Sequence, residues 1–277
     1  MSKTWFITGA SSGLGLDMAR QLLARNDRVL ATTRRPEALA DLQRQHGDRL
    51  EVVPLDLTDP AGVQTAISSA FQRHDRIDVV VSNAGYGLFG AAEELTEAQI
   101  DRQIATNLTG SIHLIRAALP YLRRLGGGRI VQVSSEGGQI AYPGFSLYHA
   151  TKWGIEGFVE SVAQEVAPFG ITFIIAEPGP TDTGFAANLV RADAMAVYED
   201  TPVGALRRAI GDGSFVLKGD AARTVATIIA AVDSPTPPLR LTLGSTAHSS
   251  ITQALAARLA VLETQRDVAH SADRPDL

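Results

Sequence analysis

The chain contains no cysteine. Disulfides and thiolate metal sites are therefore excluded, and a reducing compartment suits the composition. It has no basic run, and its formal net charge is -5, so nucleic acid is not an expected partner. Long apolar runs are also missing. The most apolar short segments, such as Ile228 to Val232, fall far below bilayer length, and no membrane partner is expected. The opening Met1–Gly9 stretch enters a strand pattern at once. It lacks the basic, apolar and cleavage regions of a secretory signal, so a cytosolic protein is expected. The histidines (His46, His74, His113, His149, His248 and His270) show no H-E-x-x-H or similar spacing. They read as structural or surface residues, and no metal is expected.

What is present is an alternation. Short apolar runs rich in Val and Ile occur at Trp5–Thr8, Arg28–Thr32, Leu50–Pro54, Asp78–Ser82, Arg129–Val133, Ile171–Ala176 and Leu239–Leu243. Longer amphipathic segments lie between them. Continuous apolar strands separated by helices predict a seven-stranded parallel sheet, doubly wound, with helices on both faces. Leu14, Met18 and Leu22 form one stripe of the first helix, and Asn26 reads as its left-handed stop. Neither a repeat nor a shift in composition marks a second domain, so residues 1–277 are expected to form one. The stretch from about Pro180 to Gly219 breaks the alternation and predicts a substrate lid within that domain. Ser271 to Leu277 reads as a loose polar tail.

Two motifs carry chemistry. Thr8-Gly9-Ala10-Ser11-Ser12-Gly13-Leu14-Gly15 follows a strand and opens a helix. Its glycines permit a tight turn and close approach of a ligand, and the helix start offers free N–H groups to a phosphate. At the end of the second strand, where an acidic residue would bind a ribose 2′-hydroxyl, stand Thr33, Arg34 and Arg35. A guanidinium there suits a 2′-phosphate, with Arg34 the better placed, so NADP(H) is expected rather than NAD. Tyr148 and Lys152 lie one helical turn apart in Y-H-A-T-K. The ammonium is expected to bring the phenol's proton affinity down toward neutral pH and make it a general acid or base.

With these motifs in order on one chain, the sequence resembles the short-chain dehydrogenase/reductase family, in its compact branch. The resemblance runs from about Lys3 to Phe185 and more loosely to Glu263. Some NADP-preferring, hydroxysteroid-dehydrogenase-like members have similar A-T-T-R-R-P-E-A-L and S-S-G-L-G stretches. The resemblance implies a Rossmann-type α/β fold. It also implies an oxidoreductase that interconverts a ketone or aldehyde and an alcohol by hydride transfer. It places the cofactor against Gly9, Ser11, Ser12, Gly13, Leu14, Gly15, Arg34, Asp56, Asn83, Ala84, Gly85, Tyr148, Lys152, Pro178, Gly179, Thr181 and Thr183. By the same resemblance Tyr148 transfers the proton, and Lys152 stabilises the tyrosinate and holds the nicotinamide ribose. Ser135, rather than its neighbour Ser134, donates to the substrate oxygen, and Asn107 positions a water that relays protons to Lys152.

On the residues themselves, the alternative for Asp56 is a helix cap before Pro60, and for Asn107 a helical residue that simply bonds backbone. Glu136 reads as a solvated loop charge. The pocket is expected among Ile140, Tyr142, Phe145, Phe185, Leu189, Met195 and Tyr198, an apolar set that favours an apolar carbonyl or alcohol substrate. A homodimer or homotetramer is implied, with Leu114, Leu119, Leu122, Phe158 and Val162 either at that interface or facing the sheet. Two rival functions stay open: a non-catalytic NADP(H)-sensing regulator, and an enoyl reductase or epimerase of the same superfamily.

Overall fold

A computed structural model describes residues 2–274. In chain order the elements are β1 (Thr4–Ile7), α1 (Gly13–Ala24), β2 (Arg28–Thr33), α2 (Ala40–His46), β3 (Leu50–Pro54), α3 (Pro60–Arg73), β4 (Val79–Ser82) and β5 (Leu88–Phe89). Then follow α4 (Glu97–Ile104), α5 (Gly110–Arg124), β6 (Gly128–Val133), α6 (Ser146–Val166), β7 (Ile171–Pro178), β8 (Thr181–Asp182), β9 (Val190–Arg191) and α7 (Pro202–Gly211). The chain closes with β10 (Gly219–Asp220), α8 (Ala221–Asp233), β11 (Arg240–Leu243), α9 (Ser245–Glu263) and α10 (Arg266–His270). Of the polar tail expected from Ser271 onward, residues 275–277 lie outside the described residues.

Seven strands form one parallel sheet in the order β11-β7-β6-β4-β1-β2-β3, the expected doubly wound Rossmann-type arrangement. Each expected strand is present, with ends shifted by a residue or two. The pleat explains why the strands read as unbroken apolar runs. Trp5 and Ile7 point to one face, where they meet Met18 and Leu22 of α1 and Ile228 and Val232 of α8. Phe6 points to the other face, against α3, α5 and α6. On that face Phe6 is in register with Leu30 and Val80, Val80 with Ile130, and Ile130 with Phe173. This row of buried side chains crosses five strands. Burying each stabilises the fold by about 1.5–3 kcal/mol, and Ile130→Ala within it is expected to cost about 2–5 kcal/mol.

Local signals fixed the element ends. Asn26 has φ 67 and stops α1. Asp59 caps α3 by accepting from the Ala61 N–H, with Pro60 at the first helical position. The α4–α5 rod is broken by a π-helical turn at Ala105–Thr109, which no sequence signal marked. Leu114, Leu122 and Val162 are buried in the layer beneath the sheet, which settles their orientation toward the core; Leu119 and Phe158 are partly buried. Among the described residues no helix is long and apolar enough to cross a membrane.

Candidate active site

The strand order reverses at β1, which pairs with β2 on one side and β4 on the other. The carboxyl ends of the strands diverge there into a crevice. The site residues named from the sequence follow β1, β2, β3, β4, β6 and β7 at that same edge, or stand on α6 and the π-helical turn beside it.

The turn from Gly9 to Gly15 is a cradle without room for side chains. Gly9 has φ 67, and a Cβ added there would lie 2.8 Å from the Ala84 Cα. One added at Gly15 would lie 2.4 Å from the Gly9 carbonyl oxygen. The Asn83-Ala84-Gly85 segment braces the turn from the side. The Asn83 and Ala84 N–H groups donate to Thr8 Oγ1, and Asn83 Nδ2 donates to the Thr8 carbonyl at 2.9 Å. Ser12 precedes α1 without a side-chain cap bond, and the first turn of α1 carries no carboxylate. Ser11, Gly13 and Leu14 complete the turn, and the Thr183 carbonyl comes within 3.4 Å of a Cβ built on Gly13. A closely approached backbone with unpaired helical N–H groups and no competing anion fits a dinucleotide pyrophosphate.

At the other end of the crevice, Arg34 is exposed just beyond β2. Asp56, beyond β3, accepts from the Thr58 N–H at 2.9 Å and its hydroxyl at 2.8 Å. Those bonds, chiefly the backbone one, hold its carboxyl below the usual range, and Arg34 and Arg102 add to the effect. Asp56 therefore does not cap α3; Asp59 does. The charges of Arg34 and Arg102 also reach Tyr86, where burial pushes the phenol up and the two cations oppose it. Arg102 on α4 was not singled out from the sequence, because a lone arginine on an amphipathic helix carries no motif.

Beyond β6 the two serines part company. Ser134 Oγ donates to Glu156 at 2.5 Å, which turns it away from the crevice. Ser135 Oγ accepts from the Gly137 N–H at 3.1 Å and lies close enough to Tyr148 to lower that residue's proton affinity. Tyr148 and Lys152 are both buried on α6. The sequence expectation for the phenol is corrected here. Burial pushes Tyr148 up to about 12, with Glu136 and Glu156 adding to the push and Ser135 opposing it. Lys152 moves the other way, down to about 8, because burial disfavours its charge more than Glu156 restores it. Desolvation is the largest cause of both shifts.

Asn107 occupies the π-helical turn and does not bond its own helix. Its Oδ1 accepts from the Tyr86 N–H at 3.1 Å and its Nδ2 donates to the Tyr86 carbonyl at 2.8 Å. π-turns of this kind often mark functional positions. Glu136 is a second correction. It is 4% exposed, not a solvated loop charge, and burial raises its carboxyl's pKa. Its Oε2 has no hydrogen-bond partner. Nothing in S-S-E-G-G signals burial, since that depends on β7 and α9 closing over the turn. His149 is structural, as expected, with Nδ1 against the Gly137 carbonyl and Nε2 accepting from the Tyr142 N–H.

An apolar wall faces Tyr148. Phe89, Ala91, Phe145, Tyr148 and Val203 form one buried cluster, with Tyr142, Leu189 and Tyr198 packed against it. The Phe185 ring lies 5.7 Å from that of Tyr148. Of the seven expected lining residues, Phe145 and Phe185 lie beside the Tyr148 ring, and Tyr142, Leu189 and Tyr198 pack against the same cluster. Met195 lies outside that cluster, and Ile140 presents its carbonyl to Trp153 instead. Residues 180–219 leave the sheet after β7 and return beside their starting point. β8 pairs with β10, and the Gly219 N–H donates to the Pro180 carbonyl at 2.9 Å. The middle of the excursion is tied down by β9 pairing with β5 and by Glu94, which accepts from the Met195 N–H and takes a two-toothed ion pair from Arg207.

Residues 3–194 match the family model described as short chain dehydrogenase. The chain is similar to oxidoreductase BOA17 of Botryotinia fuckeliana, 38% identical over 88% of this chain and 89% of that one. It is 35% identical to a 3-ketodihydrosphingosine reductase of Bacteroides thetaiotaomicron over 66% of this chain and 65% of the relative. Among solved structures, a short-chain dehydrogenase from Streptomyces avermitilis superposes with a TM-score of 0.90 at 38% identity, covering 98% of each chain.

Proposed function

The chain belongs to the short-chain dehydrogenase/reductase family, and from that premise we propose an NADP(H)-dependent oxidoreductase interconverting an apolar ketone or aldehyde and its alcohol. The observation that carries the reading is the burial of Tyr148 between Ser135, Lys152 and an aromatic wall. A hydroxyl so placed has one proton to exchange and apolar side chains around it that suit an apolar substrate.

The cofactor is held, in this reading, by the glycine cradle, the Asn83-Ala84-Gly85 brace, Asp56 and Pro178 through Thr183. Arg34, with Arg102 beside it, meets the 2′-phosphate, which favours NADP over NAD. When bound, the nicotinamide supplies or takes up the hydride. Tyr148 gives its proton to the substrate oxygen as the carbon is reduced and recovers it in oxidation. Ser135 donates to the same oxygen and stabilises the charge that develops there. Lys152 counters the negative charge on Tyr148 and binds the cofactor's ribose, and Asn107 anchors a water that resupplies protons. We read residues 180–219 as the substrate lid of a single nucleotide-binding domain. The lid's apolar face supports a hydrophobic substrate, and the Bacteroides relative is named as a 3-ketodihydrosphingosine reductase. The groove between α5 and α6, bordered by Leu119 and Phe158, supports pairing into a homodimer or homotetramer.

The test is coenzyme-linked absorbance with NADPH and NADH over apolar and charged carbonyls. NADPH oxidation that favours the apolar set is the expected result. Preference for charged substrates, or kcat/KM with NADH equal to that with NADPH, overturns the respective part. A protein that binds NADPH yet turns over nothing on the panel would be a sensor instead.

A further inference from the structure

Behind Lys152 lies a buried ionic cluster that the reaction as described does not use. Glu156 follows Lys152 by one helical turn on α6, and it is 2% exposed. Its Oε2 pairs with Arg240 of β11 at 2.7 Å, and its Oε1 accepts from Ser134 Oγ. Arg240 also binds Glu177 of β7, which is 0% exposed, and Glu160 on α6 at 2.8 Å. The carboxyl end of β6 and the residue after it bind both side chains. Lys152 Nζ donates to the Val133 carbonyl at 3.0 Å, and the next residue, Ser134, holds Glu156. The carboxylate fills its niche to the backbone. A Cβ built on Gly138 would come within 1.8 Å of Glu156 Oε1. Substitution at Gly138 would therefore dislodge either Glu156 or the turn that follows Ser135.

We propose that Glu156, fixed by Arg240 and Ser134, is a positioning residue that sets the charge state of Lys152. This rests on the oxidoreductase reading for its consequence in turnover, but not for the titration itself. Lys152 is enclosed away from water, and its only hydrogen bond among the described residues goes to a neutral carbonyl. An ammonium so placed loses much of its hydration, and a nearby anion is what restores its preference for the proton. Glu156 supplies that anion from the same helix face. Glu156 is itself a buried carboxyl pushed up by desolvation, with Arg240 and Ser134 drawing it back and Glu177 adding to the push. Arg240 thereby keeps the anion in place, while burial works to lower Arg240 itself and its carboxylate partners hold it protonated. The other groups bearing on Lys152 and its partners are Tyr148 on α6, Glu136 on the turn after β6, Glu177 on β7 and Arg240 on β11. None besides Glu156 stands one turn from Lys152 as an anion tied to the β6 terminus.

The chain has only three lysines, Lys3, Lys152 and Lys218. Selective lysine isotope labelling therefore follows Lys152 directly by NMR, with the resonance assigned by comparison with Lys3→Arg and Lys218→Arg proteins. In Glu156→Gln, which keeps the shape and the Ser134 partner, the Lys152 midpoint is expected to fall by about one pH unit, a tenfold change in proton affinity. Glu156→Asp keeps the charge but draws it back, and its midpoint should lie between those of Glu156→Gln and the native protein. Glu165→Gln, on the exposed far end of α6, should leave the midpoint unchanged. In turnover, the alkaline fall of carbonyl reduction should move to lower pH with the midpoint. A Lys152 midpoint in Glu156→Gln equal to the native one overturns the proposal, as does an equal displacement in Glu156→Asp and Glu156→Gln. Should Glu156→Gln fail to fold, the Glu156→Asp midpoint decides alone, and no displacement there overturns it. If the native protein reduces no carbonyl, the functional reading fails while the titration still tests this inference.

Discussion

Lys152 Nζ lies 5.6 Å from the centroid of the Tyr148 ring and donates to the Val133 carbonyl at 3.0 Å. At neutral pH the phenol, near 12, keeps its proton, and the lysine, near 8, is still charged. A pair in this state is loaded to give a proton rather than to take one. In carbonyl reduction that proton goes to the substrate oxygen, and removing the phenol's hydroxyl should expose the role. Tyr148→Phe is expected to lower kcat for carbonyl reduction by about 10³-fold while NADPH binding, measured by fluorescence titration, changes little. Unaltered kcat would show the hydroxyl to be a bystander.

Rising pH removes the charge that supports proton donation. Lys152 titrates near 8, so kcat for reduction should be flat through neutral pH and fall as the pH passes that value. The measurement is a kcat profile at saturating substrate and coenzyme. A profile that stays level well into the range where Lys152 is neutral would separate turnover from the ammonium.

Arg34 and Arg102 converge on Asp56 and Tyr86. Loss of a charge-assisted bond to a phosphate costs about 1.5–3 kcal/mol, so Arg34→Ala should reduce kcat/KM for NADPH about 10- to 100-fold. NADH, lacking the phosphate, should be nearly indifferent to the change. Equal losses with both coenzymes would mean that the guanidinium supports the fold and not the selectivity.

Glu94 has a fully covered side chain, and Arg207 grips it from α7. Burial tends to raise its carboxyl's pKa, but the Met195 and Ala91 N–H groups and Arg207 outweigh that and hold it below the ordinary range. A folded-state value below the unfolded one means that this stabilisation is complete above the unfolded pKa, about 4.3, and is lost as pH falls. Glu94→Gln should cost about 3 kcal/mol in urea unfolding at pH 7 and flatten the acid side of the stability profile. It should also raise KM more than it lowers kcat, since the tether acts on residues 180–219 and not on Tyr148. An unchanged KM would show that the tether has no bearing on substrate.

The sheet was legible because both its faces are covered, which makes every strand an uninterrupted apolar run. Asn26 and Pro60 marked helix ends through backbone constraints that any fold must respect. The two-residue strands β5, β8, β9 and β10 left no trace, since their pairing partners are far away in the chain. The π-helical turn around Asn107 was hidden for a related reason: its extra residue is fixed by bonds to Tyr86 across the crevice. Site residues were legible as motifs, and the strand order gathers them at one edge. Their proton affinities were not. The spacing of Tyr148 and Lys152 shows attraction, but only the packed structure shows how completely water is removed from both. Glu136 was misjudged for the same reason, and Glu156 and Arg240, brought together from α6 and β11, belong to no local pattern.

The pairing of β8 with β10 brings the two ends of residues 180–219 together, so the excursion leaves and rejoins the main frame at one place. Lengthening a loop whose ends are already stapled adds only a slowly growing closure entropy, about 0.6 kcal/mol per doubling. Exposed stretches of the excursion away from Thr183, the β5–β9 pairing and the Glu94–Arg207 pair can therefore be lengthened while the main frame stays where it is. In the reading proposed above, changes of that kind retune what the protein acts on without rebuilding how it acts.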